Sequence, residues 1–300
     1  MLSRPPKISI VTPSYNQVQF LEAAIQSVLN QNYPNLEYII IDGGSTDGSL
    51  DVIRQYQDRL HYWCSEPDAG QYSAINKGFA QSTGDILAWL NSDDMYYPWA
   101  FKTVASIMSE LPEVNWLTTL QPGIWDYDGL CRGFLYLPGI SKEAFLDGCN
   151  LPCRINIGFI QQESTFWKRN LWEEIGEAVS LKFKLAGDFD LWANFFKHAD
   201  LYAMASPLAG FRVQEGQKSR EIDLYLSEAR ESLSELRREL NWKAGSIRSA
   251  LFGLRIHRIP KVKKLIKASP YSYRGKIICK ENFGSPESFW AVNEHHFIPY

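Results

Sequence analysis

The first ninety residues alternate between short apolar runs and longer segments whose apolar residues recur at helical spacing. Short runs rich in β-branched residues predict buried strands, and apolar positions at i, i+3 and i+4 predict amphipathic helices. This alternation predicts βαβ units, and therefore an α/β fold with a parallel sheet. The predicted strands are 8–13, 36–42, 60–66 and 86–90; the predicted helices are 19–31, a helix from Asp47 capped by Thr46, and 71–82.

Polar side chains follow the carboxyl end of each predicted strand. Ligands of parallel α/β sheets bind at that edge. Loops after strands are commonly polar for no functional reason, but carboxylates dominate here, and this favours a binding site. The residues are Tyr15 and Asn16 after the first strand, Asp42 after the second, Glu66 and Asp68 after the third, and Asp93 and Asp94 after the fourth.

Two common phosphate-binding loops are missing from the pattern. The first strand is followed by TPSYNQ rather than GxGxxG, and GQYSAINKG does not fit GxxxxGK[ST]. These differences disfavour a dinucleotide-dependent dehydrogenase and a P-loop enzyme. The adjacent Asp93 and Asp94 then suggest a hard divalent cation, Mg²⁺ or Mn²⁺, that bridges the protein and a diphosphate. The alternative is that the two acids precede the first turn of a helix starting near Pro98.

Composition indicates a folded protein without a membrane-spanning segment. Of the 300 residues, 45% are hydrophobic and 22% are charged, which argues against disorder. The N-terminus lacks the apolar run of a signal peptide, and no apolar stretch is long enough to span a bilayer. We therefore expect a cytoplasmic protein. The five cysteines, without a CxxC pair, are expected to be reduced thiols rather than zinc ligands.

Charge is unevenly distributed along the chain. The net charge is −3, yet the segment Arg237–Lys280 carries 13 Lys and Arg residues against one acid, Glu239. Just before it, residues 217–240 predict a helix with one apolar face, which suits packing on the body better than binding a partner. The basic arm, residues 248–276, mixes apolar and cationic residues. It suits anionic lipid headgroups, or it is a solvated tail.

Five segments in this order resemble the family 2 inverting glycosyltransferases. They are ISIVTPSYNQ, YIIIDGGSTDGS, SEPDAGQYSAINKGFAQSTGDILAWLNSDD, QQESTFWKR and LAGDFDLW, within roughly residues 7–215. The resemblance implies a GT-A fold, with a Rossmann-like mixed sheet of mostly parallel strands flanked by helices, and nucleotide-sugar donors. The expected domains are a GT-A domain at 1–215, with a nucleotide-binding half at about 1–100 and an acceptor half at about 101–215, and a helical and basic C-terminal extension at 216–300.

The resemblance also assigns roles to individual residues. Asn91 and Gly187 stand where the family often has acids, and Gln214 stands where a His can join the metal. Asp188 is alternatively a helix N-cap, and Trp167 is alternatively a core residue. The implied roles are donor binding for Pro13, Tyr15, Asp42, Asp68 and Asp93; metal binding for Asp94 and Asp93; the acceptor side for Gln162, Glu163 and Trp167; and the general base for Asp188.

Together these observations predict a metal-dependent hexosyltransferase that uses Mn²⁺ or Mg²⁺. We expect it to move a sugar from a UDP-sugar to a hydroxyl of a glycan or lipid-linked acceptor with inversion, in surface polysaccharide synthesis. Peripheral contact with the anionic inner membrane face is expected. Alternatives are a nucleotidyltransferase of similar fold, which would release pyrophosphate, a sugar-binding protein without catalysis, and a nucleic-acid-binding protein that uses the basic arm. The acidic body argues against a nucleic-acid partner.

Overall fold

The computed structural model describes residues 5–151, 157–215, 221–243 and 272–299. The four strands and three helices predicted for the first ninety residues are present, with small shifts at their ends. The helices are α1 (Val18–Leu29), α2 (Ser49–Tyr56), α3 (Gln71–Phe79), α4 (Ala100–Glu110), α5 (Lys142–Leu146), α6 (Arg169–Glu174), α7 (Gly187–His198) and α8 (Ile222–Glu239). The strands are β1 (Ile8–Ser14), β2 (Leu36–Asp42), β3 (Tyr62–Ser65), β4 (Ile86–Trp89), β5 (Met95–Tyr96), β6 (Trp116–Thr119), β7 (Gly123–Trp125), β8 (Cys131–Phe134), β9 (Phe166–Lys168), β10 (Tyr202–Met204), β11 (Ala209–Arg212), β12 (Tyr273–Glu281) and β13 (Phe289–Phe297).

A mixed sheet forms the centre of the molecule. Within the described ranges its strand order is β13-β12-β10-β6-β9-β4-β1-β2-β3, and β5, β11, β7 and β8 form a smaller sheet. Strand β1 pairs in parallel with β2 and β4, and β2 pairs in parallel with β3, so the predicted βαβ units are confirmed. Strand β9 runs antiparallel between β4 and β6, which makes the sheet mixed, as the resemblance implied.

Both faces of the central strands are buried, each in its own core. Ile8 and Ile10 of β1 pack with Ile40 of β2 and with residues of α1 and α4. Val11 packs on the other face with Ile39 and with residues of α3 and α7. Successive side chains of a strand point to opposite faces, so a continuous apolar run fills two layers at once. This explains why the predicted strands lack a polar face.

Helix α8 packs against the rest of the protein, as its apolar face predicted. Ala229, Leu233 and Leu236 are buried in the same core as the apolar residues of α7. Of the two alternatives for this face, packing on the body is the one observed. The helix therefore extends the fold beyond the segment that resembles the family.

The C-terminal extension is not purely helical, which is a difference from the sequence prediction. Strand β12 pairs in parallel with β10, and β13 pairs antiparallel with β12, so residues 273–297 lengthen the main sheet. Charged residues such as Arg274, Lys276 and Lys280 interrupt the apolar pattern of β12, so the sequence pattern does not predict a strand there. Residues 248–271, which make up most of the basic arm, lie outside the described residues.

Helix α2 begins two residues later than predicted. Gly48, with a φ of 101°, precedes its first residue, Ser49. The carboxylate of Asp47 accepts hydrogen bonds from the backbone N–H and the hydroxyl of Ser49. The predicted cap by Thr46 is therefore wrong, because the N-cap is Gly48 and it is Asp47, one residue earlier, whose carboxylate accepts the first helical N–H. None of the helices in the described ranges has both the length and the apolar character that crossing a bilayer requires.

Candidate active site

A cavity of about 680 Å³ lies at the carboxyl ends of the first strands, the edge where the sequence predicted a ligand site. Two carboxylates, Asp68 and Asp93, line it. None of its described lining residues is Lys, Arg or His. The lining residues are Pro13, Ser14, Tyr15, Gln17, Gly43, Pro67, Asp68, Gly70, Gln71, Ala74, Asn91, Ser92, Asp93, Phe211 and Gln214.

The segment after β1 presents Tyr15 to this cavity. Tyr15 is 62% exposed, so one face of its ring is open to a planar ligand. The next residue, Asn16, has a left-handed φ of 50°. Its backbone N–H donates to the hydroxyl of Ser45 at 2.8 Å, and its side-chain oxygen accepts from the backbone N–H of Thr46 at 2.9 Å. These bonds join the loops after β1 and β2 and fix the position of Tyr15.

Asp42 lies beneath the cavity rather than on its wall. It is fully buried, and one carboxylate oxygen accepts the backbone N–H groups of Gly44 at 3.1 Å and Ser45 at 2.9 Å. The hydroxyl of Ser65 donates to the same oxygen at 2.6 Å, and the Ser45 hydroxyl donates to the other. The structure thus corrects the prediction that Asp42 bonds a nucleotide base. Its oxygens are used to shape the turn after β2.

Asp68 lies on the cavity wall, as predicted for a donor-binding residue. Its carboxylate accepts the backbone N–H of Gly70 at 2.7 Å. A Cβ atom on Gly43 would lie 3.0 Å from the Asp68 carboxylate and 3.3 Å from the Tyr15 ring. Glycine at position 43 therefore lets Tyr15 and Asp68 approach each other across the cavity.

The two adjacent acids after β4 have different environments. Asp93 lines the cavity. Asp94 is only 1% exposed, and its carboxylate accepts hydrogen bonds from the backbone N–H of Arg212 at 2.9 Å and from the Asn91 amide at 3.2 Å. Burial, with the carboxyls of Asp93 and Glu163 nearby, raises the pKa of Asp94 well above its usual range. Of the two predicted metal ligands, Asp93 lines the cavity and Asp94 is buried behind it, so metal binding by Asp94 stays a prediction.

Two amide side chains hold the segment that carries Asp93. Gln71 of α3 donates to the side-chain oxygen of Asn91 at 2.7 Å. Gln162 accepts from the Asn91 amide at 3.2 Å and donates to the backbone carbonyl of Trp89 at 2.6 Å. Gln162 was predicted on the acceptor side, whereas the structure uses it to tie Asn91 to the end of β4.

The cavity fits a hard divalent cation with few protein ligands. The carboxylate of Asp93 accepts from the Gln214 amide at 2.6 Å, and the oxygens of Asp93, Gln214 and Asn91 are the donors that Mg²⁺ and Mn²⁺ prefer. Within the described residues, no group of three His, Cys, Asp or Glu side chains is arranged to hold an ion. Such cations are commonly held by one or two carboxylates, water and substrate phosphates. The residues therefore fit an ion that binds together with a diphosphate.

Asp188 lies in the first turn of α7 rather than at its N-cap, because the helix begins at Gly187. Its carboxylate accepts the backbone N–H of Phe189 at 2.8 Å. Burial raises the pKa of Asp188 to about 6, and hydrogen bonds from the Phe189 backbone and the Tyr225 hydroxyl oppose that rise. A carboxylate with a pKa close to neutral can accept a proton from a substrate hydroxyl.

Gly187, which stands where the family often has an acid, packs too closely against Tyr72 to carry a side chain. The backbone N–H of Gly187 donates to the hydroxyl of Tyr72 at 3.0 Å, and that hydroxyl donates to the carbonyl of Leu185 at 2.6 Å. A Cβ atom at position 187 would lie 2.6 Å from the Tyr72 ring, which is too close. Tyr72 follows Gln71 of the cavity wall, so α3 connects the cavity to the loop before Asp188.

Glu163 is a buried carboxyl between elements of the site. It is 2% exposed, and its Oε1 atom has no hydrogen-bond partner among the described residues. Burial, with contributions from the charges of Asp188 and Asp93, raises the pKa of Glu163 to about 8. Glu163 is therefore mostly protonated at neutral pH. Glu163, which was predicted on the acceptor side, is close enough to interact electrostatically with both Asp93 and Asp188.

Trp167 is a core residue, and its predicted place on the acceptor side is wrong. It is fully buried and packs against the rings of Phe79, Trp172 and Phe195. No face of its ring is open to a sugar. The alternative that a tryptophan here belongs to the core is the one observed.

Sequence reasoning missed three residues of the site: Tyr72, Arg212 and Tyr225. Arg212 donates from its side chain to the backbone carbonyl of Asp93 at 2.7 Å, and its guanidinium lies 4.9 Å from the ring centre of Phe20. Its position two residues before Gln214 on the same segment was the available signal, since such residues share a face of a strand. Tyr225 lies in α8, outside the motifs, and nothing in the sequence indicated it.

Comparison with known proteins agrees with the resemblance. The family model described as glycosyl transferase family 2 matches residues 9–168. The chain is 28% identical over 220 residues to an uncharacterized glycosyltransferase of Rickettsia typhi, covering 71% of this chain and 65% of that protein. It is 38% identical over 99 residues to the Bacillus subtilis glycosyltransferase TuaG, named for teichuronic acid biosynthesis, covering 32% and 39%. The matches thus span 65% and 39% of these two relatives' lengths.

Two solved structures have the same fold. Staphylococcus aureus TarS residues 1–349, solved with UDP-GlcNAc, superposes with a TM-score of 0.55 at 16% identity, covering 87% of this chain and 79% of that chain. The mannosyltransferase PcManGT of Pyrobaculum calidifontis, solved with GDP-Man and Mn²⁺, gives a TM-score of 0.51 at 16% identity, covering 88% and 84%. These similarities confirm the GT-A fold that the resemblance implied.

Proposed function

Because this chain belongs to glycosyl transferase family 2, we propose that it transfers a sugar from a nucleotide-diphosphate donor to a hydroxyl of an acceptor. The donor is a uridine-linked sugar of hexose type, and the transfer inverts the configuration at the anomeric carbon. The nucleotide occupies the cavity at the ends of β1–β4, with its base against Tyr15 and the neighbouring Asp68 wall. Pro13 shapes the same wall.

The charge of the cavity is the observation that carries this proposal. Two carboxylates and no cationic side chain occur among its described lining residues, so a diphosphate needs a cation in order to bind there. Asp93, with Gln214 and Asn91, holds Mn²⁺ or Mg²⁺ in company with the diphosphate. When bound, such an ion neutralises the negative charge that develops on the departing diphosphate. PcManGT, solved with GDP-Man and Mn²⁺, supports this assignment.

Asp188 acts as the general base in this scheme. An acceptor hydroxyl is a weak nucleophile at neutral pH, and a carboxylate within hydrogen-bond reach removes its proton as the new C–O bond forms. The pKa of Asp188, raised to about 6, keeps it mostly ionised at pH 7 but basic enough to take that proton. One displacement at the anomeric carbon, with the base on the acceptor side, gives inversion.

The acceptor is a growing glycan or a lipid-linked glycan in surface polysaccharide synthesis. The name of TuaG and the UDP-GlcNAc bound to TarS support a surface glycan and a uridine-linked donor. The enzyme works in the cytoplasm, at the inner face of the membrane where lipid-linked acceptors are held. The basic arm supplies the contact with anionic headgroups.

Replacement of Asp188 by Asn tests the proposal. With a panel of UDP-sugars, Mn²⁺ and cell-wall glycan acceptors, the wild-type chain should release UDP. Asp188→Asn should reduce turnover by about 10²–10⁴-fold while UDP affinity stays the same, because only proton transfer is lost. Asp200→Asn, a change at an exposed aspartate paired with Lys276, is the control and should leave turnover unchanged.

Two outcomes contradict the proposal. Full turnover in Asp188→Asn removes the base assignment. Release of pyrophosphate in place of a nucleoside diphosphate indicates a nucleotidyltransferase instead.

A further inference from the structure

Helix α8 contacts the short segment that leads into Asp188. The carboxylate of Glu228 accepts three successive backbone N–H groups, from Lys184 at 3.0 Å, Leu185 at 2.8 Å and Ala186 at 2.9 Å. These groups lie at and just before the start of α7, where backbone N–H groups have no partner inside the helix. Glu228 therefore fixes the path by which the chain enters the turn that carries Asp188.

A second residue of the same helix lies near the candidate base. The hydroxyl of Tyr225 is close enough to the Asp188 carboxylate to lower its pKa, as a hydrogen-bond donor does. The Tyr225 ring packs edge-on against Phe159, with 5.6 Å between ring centres, so its hydroxyl has a defined position. Tyr225 lies one turn before Glu228 on α8, which places both side chains on the same side of the helix.

Further along α8, the contact with α7 continues. The hydroxyl of Ser232 donates to the Asp190 carboxylate at 2.7 Å. Ala229, Leu233 and Leu236 are buried in the core that also holds the apolar residues of α7. Glu228 and Ser232 thus make polar contacts from the face of α8 that also carries its buried apolar residues. They hold the first turn of α7 at defined points.

We propose that α8 is part of the catalytic unit, with Tyr225 and Glu228 as positioning residues that orient the Asp188 carboxylate towards the acceptor hydroxyl. This inference rests on the proposed role of Asp188 as general base. Orientation of a reacting group is worth a large factor in rate, and a misplacement of about 1 Å can cost about a hundredfold. Neither residue touches the substrate in this account.

Titration of Asp188 gives a readout that a purely structural role would not affect. The titratable groups that face it are Tyr225 from α8, Tyr72 from α3 and Glu163 from the turn before β9, and Glu228 lies beside the same segment. The hydrogen bond from Tyr225 favours the ionised carboxylate and keeps the pKa of Asp188 lower than burial alone would set it. Loss of that hydroxyl should raise the pKa of Asp188.

Tyr225→Phe is the deciding variant, because it keeps the ring against Phe159 and removes only the hydroxyl. The acidic limb of kcat/KM against pH should move upward by about one pH unit, since that limb reports ionisation of the base in the free enzyme. Tyr56→Phe is the matched control. Tyr56 also donates to a carboxylate, that of Glu22 at 2.8 Å, but on the exposed side of α1 and α2. Its pH profile should match the wild type.

Glu228 is tested by a pair of variants. Glu228→Ala should lower kcat by about a hundredfold and leave the KM for the donor unchanged, because the donor cavity is built by other elements. Glu228→Gln keeps an oxygen that accepts backbone N–H groups, and it should recover part of the lost kcat. UDP binding by each variant shows whether the fold is intact. If Glu228→Ala does not fold, the pH profile of kcat/KM for Tyr225→Phe still tests the proposal.

An unmoved acidic limb in Tyr225→Phe overturns this inference, and so does an equal change of kcat and donor KM in Glu228→Ala. These failures differ from a failure of the proposed function. Full turnover in Asp188→Asn would remove the base itself. An inactive Asp188→Asn beside an unshifted Tyr225→Phe would remove only the role of α8.

Discussion

Replacement of Glu163 by Gln should make the protein's stability less dependent on pH. Glu163 is buried, and its Oε1 atom lacks a partner among the described residues. Its pKa is raised from 4.5 to about 8, first by burial and then by the charges of Asp188 and Asp93. Folding therefore favours the protonated acid. The stability associated with that protonation is fully present below pH 4.5 and is lost as the pH rises through about 8.

The size of the effect follows from the two pKa values of Glu163. At pH 5 the unfolded carboxyl is only partly ionised, and its reprotonation on folding costs about 1 kcal/mol. At pH 7 the unfolded carboxyl is ionised, and the same step costs about 3 kcal/mol. Glutamine has the shape of the protonated acid but does not titrate. The wild type should therefore lose about 2 kcal/mol more than Glu163→Gln between pH 5 and pH 7.

Urea unfolding of both proteins at pH 5, 6 and 7 measures this difference in the free energy of unfolding. Comparing how the free energy of unfolding changes with pH in the two proteins removes any constant effect of the glutamine amide. It also cancels the contribution of groups that titrate equally in both proteins. Glu173→Gln, at an exposed position, is the control and should follow the wild type. Parallel curves for wild type and Glu163→Gln would show that Glu163 is ionised in the folded state, and the description of a protonated carboxyl at this site would be wrong.

Two further changes test the local geometry of the site. Gly187→Ala should destabilise the protein by about 1–3 kcal/mol in urea unfolding and reduce turnover, because the new methyl group would lie 2.6 Å from the Tyr72 ring. Gly284→Ala is the control, since nothing lies within 4 Å of a Cβ atom there, and it should change neither stability nor turnover. Equal stability of the two variants would refute the steric argument. Gln214→His should lower the Mn²⁺ concentration needed for half-maximal UDP binding by roughly tenfold, because an imidazole is a stronger metal ligand than an amide; an unchanged Mn²⁺ requirement would place position 214 outside the metal's reach.

Much of the fold was readable from the sequence because the first half of the chain follows the simplest rule of α/β proteins. Strands such as 8–14 and 36–42 are apolar on both faces, and this pattern is typical of a parallel sheet covered by helices. The carboxyl ends of such strands meet at one edge, so the approximate location of the cavity followed directly. The positions of Tyr15, Asp68 and Asp93 on its wall followed from that rule.

The same rule does not distinguish residues that line the cavity from residues that are buried beneath it. Asp42 ends β2 and Asp94 follows β4, much as Asp68 follows β3 and Asp93 follows β4. Asp42 and Asp94 are nevertheless buried and bonded to backbone N–H groups. Which acid faces the ligand depends on the path of the loop after each strand. That path is set by distant partners, such as the backbone of Arg212 for Asp94, and no local pattern reports it.

Contacts between distant segments account for the other differences. Tyr225 and Glu228 reach the segment around Asp188 only because α8 folds back onto α7, some forty residues along the chain from the motif. Trp167 looked like a binding residue beside Glu163, but β9 inserts between β4 and β6 and buries it. Strand β12 was hidden by its charged residues and is defined by its pairing with β10. Each of these outcomes depends on tertiary packing, which overrides local preference.

Isothermal titration with UDP, in Mn²⁺ and then in EDTA, tests the central claim most directly. The account holds that Asp93 would hold a divalent cation that offsets the charge of the diphosphate, in a cavity without cationic side chains among its described lining residues. UDP should bind at least about tenfold more tightly in Mn²⁺ than in EDTA, and Asp93→Ala should remove that difference. Equal UDP affinity in Mn²⁺ and EDTA for the wild-type chain would contradict the account.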